Sequence, residues 1–191
     1  MIKRLKTWLQ GGPDEPAQPA AQAQAELRIL MVCMGNICRS PTAEGVMRAR
    51  LQRAGLAQRV QVDSAGTHGY HTGEAPDARA IRQAAQRGYQ LAGLRARPVV
   101  PQDFARFDWL LAMDEDNLAW LQRKAPAGKA AQIELLMPHA RRHAGLRVVP
   151  DPYYGTAAGF EHVLDLVEDA CDGLLLRVQA RLVSGATGKA D

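Results

Sequence analysis

The 191-residue chain predicts an α/β fold: a four-stranded parallel sheet flanked by helices on both faces, carried by one domain over residues 27–184. Three observations predict it. Short apolar stretches alternate with amphipathic stretches of helical period. The short stretches are continuously apolar, as strands covered on both faces are. The first of them runs into a loop containing Gly and Asn, and a helical pattern follows, so a ligand loop is expected at the carboxyl end of the first strand.

Residues 1–26 stand apart. Met1 to Gln10 predicts a short basic helix with Ile2, Leu5, Trp8 and Leu9 on one side. Gly11 to Glu26 is rich in Pro, Ala, Gln and Gly and lacks large apolar residues, so it predicts a flexible linker. Two readings of the first ten residues stand side by side: an anchor to a membrane surface or partner, or an extension with no role.

Strands are predicted over Leu27–Cys33, Arg59–Ser64, Asp108–Met113 and Gln132–Met137. Helices are predicted between them. Pro41–Ala54 turns Ala43, Val46, Met47 and Leu51 inward, and Asp77–Arg87 turns Ala78, Ile81 and Ala85 inward. Pro101–Ala105 predicts a single turn, and Asp114–Lys124 presents Leu118 and Leu121. A long helix over Phe160–Leu182 carries Val163, Leu164, Val167, Cys171, Leu174, Leu175 and Val178 on its apolar face, and residues 185–191 form a tail.

Composition narrows the function classes. Hydrophobic residues at 47% and charged residues at 23% are an ordinary globular balance. A net charge of +4, from 24 basic and 20 acidic residues, is too small to indicate nucleic acid and suits an anionic substrate. Cys33, Cys38 and Cys171 are too few for a disulfide framework, and no histidine stands at ligand spacing from a cysteine. These counts predict a reduced, cytoplasmic setting and no metal. No stretch reaches the ~18 apolar residues of a spanning helix. The N-terminal basic residues lack the apolar run of a signal peptide.

Val32-Cys33-Met34-Gly35-Asn36-Ile37-Cys38-Arg39-Ser40-Pro41 carries the chemistry. It predicts a phosphate-binding loop between strand and helix. Backbone N–H groups of Met34, Gly35, Asn36, Ile37, Cys38 and Arg39 would converge on a tetrahedral oxyanion, with Cys33 beneath it. Gly35 and Asn36 tolerate the left-handed torsions such a loop needs. Arg39 would grip two equatorial oxygens in its planar fork. The helix dipole, the loop amides and the Ser40 hydroxyl would each stabilise a thiolate. Ser40 suits the helix cap and Pro41 the first helical position. A merely buried Cys33 would leave Gly35, Asn36, Arg39, Ser40 and Pro41 unexplained together. The stretch therefore reads as the active site of a phosphatase working through a cysteinyl-phosphate.

Such an enzyme also needs a proton donor. Asp151 sits between Pro150 and Pro152, which stiffen the chain and keep it out of a helix. Taken alone, Asp-Pro reads as a turn. Beside the Cys33 loop, Asp151 reads as general acid and then base, sheltered among apolar rings.

The Cys33 stretch together with Asp151-Pro152-Tyr153-Tyr154 resembles the low-molecular-weight protein tyrosine phosphatases. The similarity extends through Val62-Asp63-Ser64-Ala65-Gly66-Thr67, Asp103-Phe104 and Met113-Asp114-Glu115-Asp116-Asn117-Leu118, and covers residues 27–184. The resemblance implies the four-stranded parallel sheet, with Cys33 as nucleophile, Arg39 as clamp and Asp151 as acid then base. It implies that Asn36 and Ser64 hold the loop, that Ser40 supports the thiolate, and that Ile37, Tyr70 and Tyr153 wall a cleft for an aromatic ring. It implies no metal or organic cofactor. It implies a disulfide between Cys38 and Cys33 that makes oxidation reversible, against which Cys38 also reads as a packed thiol. The family often has a histidine two residues before an Ala-Arg pair, bonded to the loop asparagine. Leu94 stands there in this chain, leaving the Ser64 side to support the loop.

Three rival readings come with the fold. Arsenate reductases of this type use further downstream cysteines, and none lies between residues 39 and 170. Phosphoarginine enzymes tend to carry threonine where Ile37 stands. A phosphopeptide-binding module would lack one of Cys33, Arg39 or Asp151. The implied partner is a phosphotyrosine-containing protein, in bacteria a membrane tyrosine kinase of exopolysaccharide export; nucleic acid is not expected.

Overall fold

The computed structural model describes residues 25–127 and 132–187. The helix and linker expected over residues 1–26 lie outside the described residues except for Ala25 and Glu26, as do residues 188–191 of the expected tail. The elements run β1 (Leu27–Cys33), α1 (Arg39–Arg53), β2 (Val60–Gly66), α2 (Ala78–Gln86), α3 (Asp103–Arg106), β3 (Trp109–Ala112), α4 (Glu115–Lys124), β4 (Gln132–Leu135), a 3-10 turn (Met137–His139) and α5 (Ala157–Thr187). All strand pairs are parallel, in the order β2-β1-β3-β4. The expected four-stranded parallel sheet is the one observed.

Strand alternation divides the apolar run of β1 between two cores. Leu27, Ile29, Met31 and Cys33 enter the layer packed by α1 and α5, with Val46, Met47, Val163 and Val167. Leu30 and Val32 enter the opposite layer with Phe104, Phe107, Leu110 and Leu121 from the α3–α4 side. β1 is thus buried on both faces and paired on both edges. The element carrying Cys33 is one of the two central strands of the sheet.

The boundaries differ from expectation in ways the packing explains. β2 continues past Ser64 to Gly66, because Gly66 approaches the loop after β1 closely. A Cβ on Gly66 would lie 2.7 Å from Met34 O and 2.8 Å from His68 O. β4 stops at Leu135, and Pro138 directs the next residues into the 3-10 turn. α5 begins at Ala157 and continues to Thr187, beyond the expected close at Leu182.

α2 presents a different face from the expected one. Ala80, Gln83 and Ala84 are buried, Ile81 is half-buried, and Ala78 and Ala85 are exposed. With alanines at 78, 80, 84 and 85, several faces look equally apolar. The rotation is set instead by Asp77, whose backbone N–H donates to Ile37 O at 2.8 Å. No helix among the described residues is long and apolar enough to cross a membrane.

Candidate active site

Cys33 ends β1, and Arg39, separated from it by five residues, opens α1. Four carbonyls of this stretch are held from outside. Thr67 N donates to Cys33 O at 2.8 Å, His68 N to Met34 O at 3.0 Å and Asp77 N to Ile37 O at 2.8 Å. Thr42 Oγ1 donates to Cys38 O at 2.7 Å. Carbonyls drawn outward leave the amide edge of the loop on the Cys33 side, where Asn36 N donates to Cys33 Sγ at 3.3 Å.

Asn36 is the one non-glycine residue with positive φ among the described residues, at 57°. Gly35, expected to share that torsion, does not adopt it. Its missing Cβ instead leaves room for the His71 ring, which would come within 3.1 Å of one. Ser40 and Pro41 were expected at the cap and first helical position. α1 begins earlier, with Cys38 at the cap and no side-chain capping bond, so both sit inside the first turn. That position brings Ser40 Oγ to 3.0 Å from Cys33 Sγ.

Behind the loop stands a buried polar network. Asn36 Nδ2 donates to Ser40 Oγ and Ser64 Oγ, each at 2.9 Å. Ser64 Oγ donates to Glu44 Oε2 at 2.5 Å. Arg97 N donates to Asn36 Oδ1 at 2.9 Å, so a main-chain amide meets the Asn36 acceptor while Leu94 packs half-buried against the core. Glu44 is only 1% exposed, and burial pushes its carboxyl up to about 7 against the pull of Arg48 and Ser64.

The Arg39 side chain is almost fully buried. Its Nη1 donates to Asp114 Oδ2 at 2.5 Å and to Val149 O at 3.3 Å. Its Nη2 donates to Asp151 Oδ2 at 2.7 Å. Burial opposes the charge, but Cys33, Asp151 and Asp114 outweigh it and hold the guanidinium pKa above its ordinary value. Asp114 also caps α4, accepting from Asn117 N at 2.8 Å through its other oxygen. Asp151 is placed differently from the sheltered carboxyl expected. Its side chain is 43% exposed and ion-paired with Arg39.

These groups meet in a cleft of about 350 Å³. Cys33, Arg39 and Asp151 line it together with Met34, Gly35, Ile37, Cys38, Tyr70 and Tyr153. Asn36, Ser40 and Ser64 are not on its wall; they stand behind the loop. Two linings were absent from the sequence reading: His71, whose Nδ1 lies 2.8 Å from Glu74 Oε2, and Tyr154. Tyr154 adjoins Tyr153 in the same motif, whereas no signal marked His71. Larger hollows of about 570 Å³ by Arg48 and Asp63 and about 680 Å³ by Trp109 and Arg181 are lined by no cysteine. Of the three, the smaller cleft is the one that brings a thiol, a guanidinium and a carboxylate together. Burial, followed by the charges of Asp77 and Cys33, pushes the Cys38 thiol up to about 12. No group of three or more His, Cys, Asp or Glu side chains among the described residues is arranged to hold a metal ion.

Residues 28–184 match the family model for low molecular weight phosphotyrosine protein phosphatases. The chain belongs to this family. The phosphatase is 45% identical over 157 residues to a low molecular weight protein-tyrosine-phosphatase of Streptomyces coelicolor, covering 81% of this chain and 95% of that one. A solved protein tyrosine phosphatase of Entamoeba histolytica, with Hepes in its active site, superposes with a TM-score of 0.77 at 40% identity, over 81% of this chain and 97% of that one. Vibrio vulnificus Wzb in complex with benzylphosphonate superposes with a TM-score of 0.69 at 26% identity, over 80% and 99%. Enzymes of this family are protein tyrosine phosphatases, hydrolases of phosphoric monoesters, and their fold is the α/β arrangement described above.

Proposed function

We propose that this phosphatase hydrolyses phosphotyrosine with Cys33 as nucleophile, Arg39 as phosphoryl clamp and Asp151 as proton donor and acceptor. The observation that carries the proposal is the meeting of a thiol, a buried guanidinium and a carboxylate at one cleft. In the first step Cys33 Sγ, as the thiolate, forms a bond to phosphorus. The ester P–O bond breaks, and Asp151 delivers its proton to the departing phenolic oxygen. In the second step water attacks phosphorus, Asp151 takes a proton from it, and the S–P bond breaks to return the thiolate and release inorganic phosphate.

Arg39 changes partners along the way. Its Nη2 donates to Asp151, and its Nε is buried without a hydrogen-bond partner among the described residues. An incoming phosphoryl group would accept from both donors in a planar fork. That exchange releases Asp151 to meet the ester oxygen. Asn36, Ser40 and Ser64 hold the loop and the sulfur from behind, while Ile37, Tyr70 and Tyr153 flank an aromatic ring. A benzylphosphonate such as Wzb carries has the same parts, a ring one atom from a tetrahedral phosphorus.

Cys38 is assigned a redox role on the same reading. Peroxide converts the Cys33 thiolate to a sulfenic acid. The Cys38 sulfur then displaces water to form a disulfide that thiols can reverse. Oxidation also removes the Cys33 anion, one of the charges that hold Cys38 protonated. The partner is a phosphotyrosine-bearing protein, and a bacterial membrane tyrosine kinase of exopolysaccharide export is the specific partner we infer.

Burst kinetics on a phenyl phosphate ester test the reading. A stoichiometric burst is expected, and it disappears in Cys33→Ser. Asp151→Asn is expected to slow turnover by on the order of 10²-fold; unchanged turnover overturns that role. A peptide panel of phosphotyrosine, phosphoarginine and phosphoserine separates the substrate classes, with phosphotyrosine preferred.

A further inference from the structure

We propose that Arg79, clamped by Asp77 at the start of α2, is a positioning residue that sets the Asp151 loop in place over the phosphate-binding loop. The inference rests on the reading of Asp151 as proton donor. Residues 151–155 belong to neither helix nor strand. Inside the loop, Tyr153 N donates to Asp151 Oδ1 at 3.0 Å and Gly155 N to Pro152 O at 2.9 Å. Tyr154 projects almost wholly into solvent, and Pro152 alone of the segment is buried, so burial anchors it at one point.

Arg79 supplies what burial does not. Its Nη1 donates to Gly155 O at 3.1 Å and its Nη2 to Tyr153 O at 3.0 Å. Its guanidinium carbon lies 4.6 Å from the centre of the Phe160 ring and 5.8 Å from that of Tyr153. Asp77 fixes the cation from the other side, accepting from Arg79 Nε at 3.0 Å, from Nη2 at 2.8 Å and from the Arg79 backbone N–H at 2.8 Å. The Asp77 backbone N–H in turn donates to Ile37 O at 2.8 Å.

A continuous line therefore runs from the phosphate-binding loop, through Asp77 and Arg79, to the two carbonyls after Asp151. Arg79 is absent from the cleft wall and touches no reacting group. Its five donors in one plane let it engage a carboxylate and two carbonyls at once; the ammonium of lysine, a single point with three donors, cannot span them. The strut thus acts on where the proton is delivered and leaves the thiol and its anion cup alone. A displacement of about 1 Å at a reacting group lowers rates by as much as ~10²-fold.

The test uses the full chain with Arg79→Gln, Arg79→Lys, Asp151→Asn and the Asp151→Asn/Arg79→Gln double variant. Single-turnover phosphorylation is measured on aryl phosphates from dinitrophenyl to unsubstituted phenyl, with vanadate inhibition alongside. Arg79→Gln is expected to slow the phenyl ester by roughly 10- to 10²-fold and the dinitrophenyl ester by less than about 3-fold, since a good leaving group needs little protonation. Vanadate affinity is expected to hold within about 3-fold, and the double variant to be no slower than Asp151→Asn. Arg79→Lys carries the same comparison if the glutamine protein does not fold. An equal loss on every ester, weakened vanadate binding, or no loss overturns the strut. If Asp151→Asn shows no leaving-group dependence, the proton-donor reading falls and takes the strut with it. Selective loss in Asp151→Asn with none in Arg79→Gln defeats the strut alone.

Discussion

Asn36 illustrates how much one side chain can carry. It holds φ at 57° and donates to Ser40 and Ser64, and its carbonyl accepts from Arg97 N. Asn36→Ala loses all three side-chain bonds and adds left-handed strain, for an expected loss of roughly 3 kcal/mol in urea denaturation. Asn36→Gly loses the bonds but accepts the torsion, and is expected to be about 1 kcal/mol more stable than the alanine variant. Equal stabilities would mean that the torsion costs nothing. That Cys33, Arg39 and Asp151 meet at one cleft was legible in the sequence, because the spacing of Cys33 and Arg39 and the prolines flanking Asp151 suit one chemistry. Glu44 was not. A glutamate between Ala43 and Gly45 in a helical pattern reads as solvated surface. Its burial arises only when β2 lies against α1 and brings Ser64 to it. His71 was hidden similarly, since its approach to Gly35 spans two loops.

Helix α2 shows the same limit for a whole element. The apolar strands were legible because a continuous run of Leu, Ile, Met and Val has one explanation. An alanine-rich helix has several equally apolar faces, so the cap at Asp77 and its bond to Ile37 decide which one packs. Ala84→Asp, at a fully buried position, is expected to cost about 3 kcal/mol or more. Ala85→Asp, on the exposed side, is expected to stay within about 0.5 kcal/mol. Equal losses would contradict the observed face. α5 offers a second check. A Cβ on Gly173 would meet His139 O at 1.9 Å, where helix and 3-10 turn touch backbone to backbone. Gly173→Ala is expected to lower stability by about 1–3 kcal/mol, read as a lower melting temperature, because the turn must move away.

Across the whole molecule, two buried carboxylates pull its pH stability in opposite directions. Asp169 accepts from the backbone N–H groups of Arg141, Arg142 and His143 and from the His143 ring. These bonds outweigh its burial and hold its pKa below the ordinary 3.8. Its stabilisation is therefore complete above pH 3.8 and is lost as pH falls toward the folded value. Glu44 has the opposite sign. Its pKa rises from 4.5 to about 7, so its contribution is fullest below 4.5 and declines through 7, by at most about 3 kcal/mol. Melting temperatures are expected to peak in the mildly acidic range. Glu44→Gln flattens the alkaline side and Asp169→Asn the acid side; a profile unchanged by either substitution contradicts the account.

The sheet also gives the molecule a front and a rear. β1 delivers Cys33 to one end of a seven-residue strand, which places Leu27 roughly 20 Å behind it. Ser184, near the close of α5, borders a hollow with Asp108, Trp109 and Gln132 at the beginnings of β3 and β4, the same rear side. A reporter fused directly to Leu27 would start from the back, a strand's length from the cleft mouth.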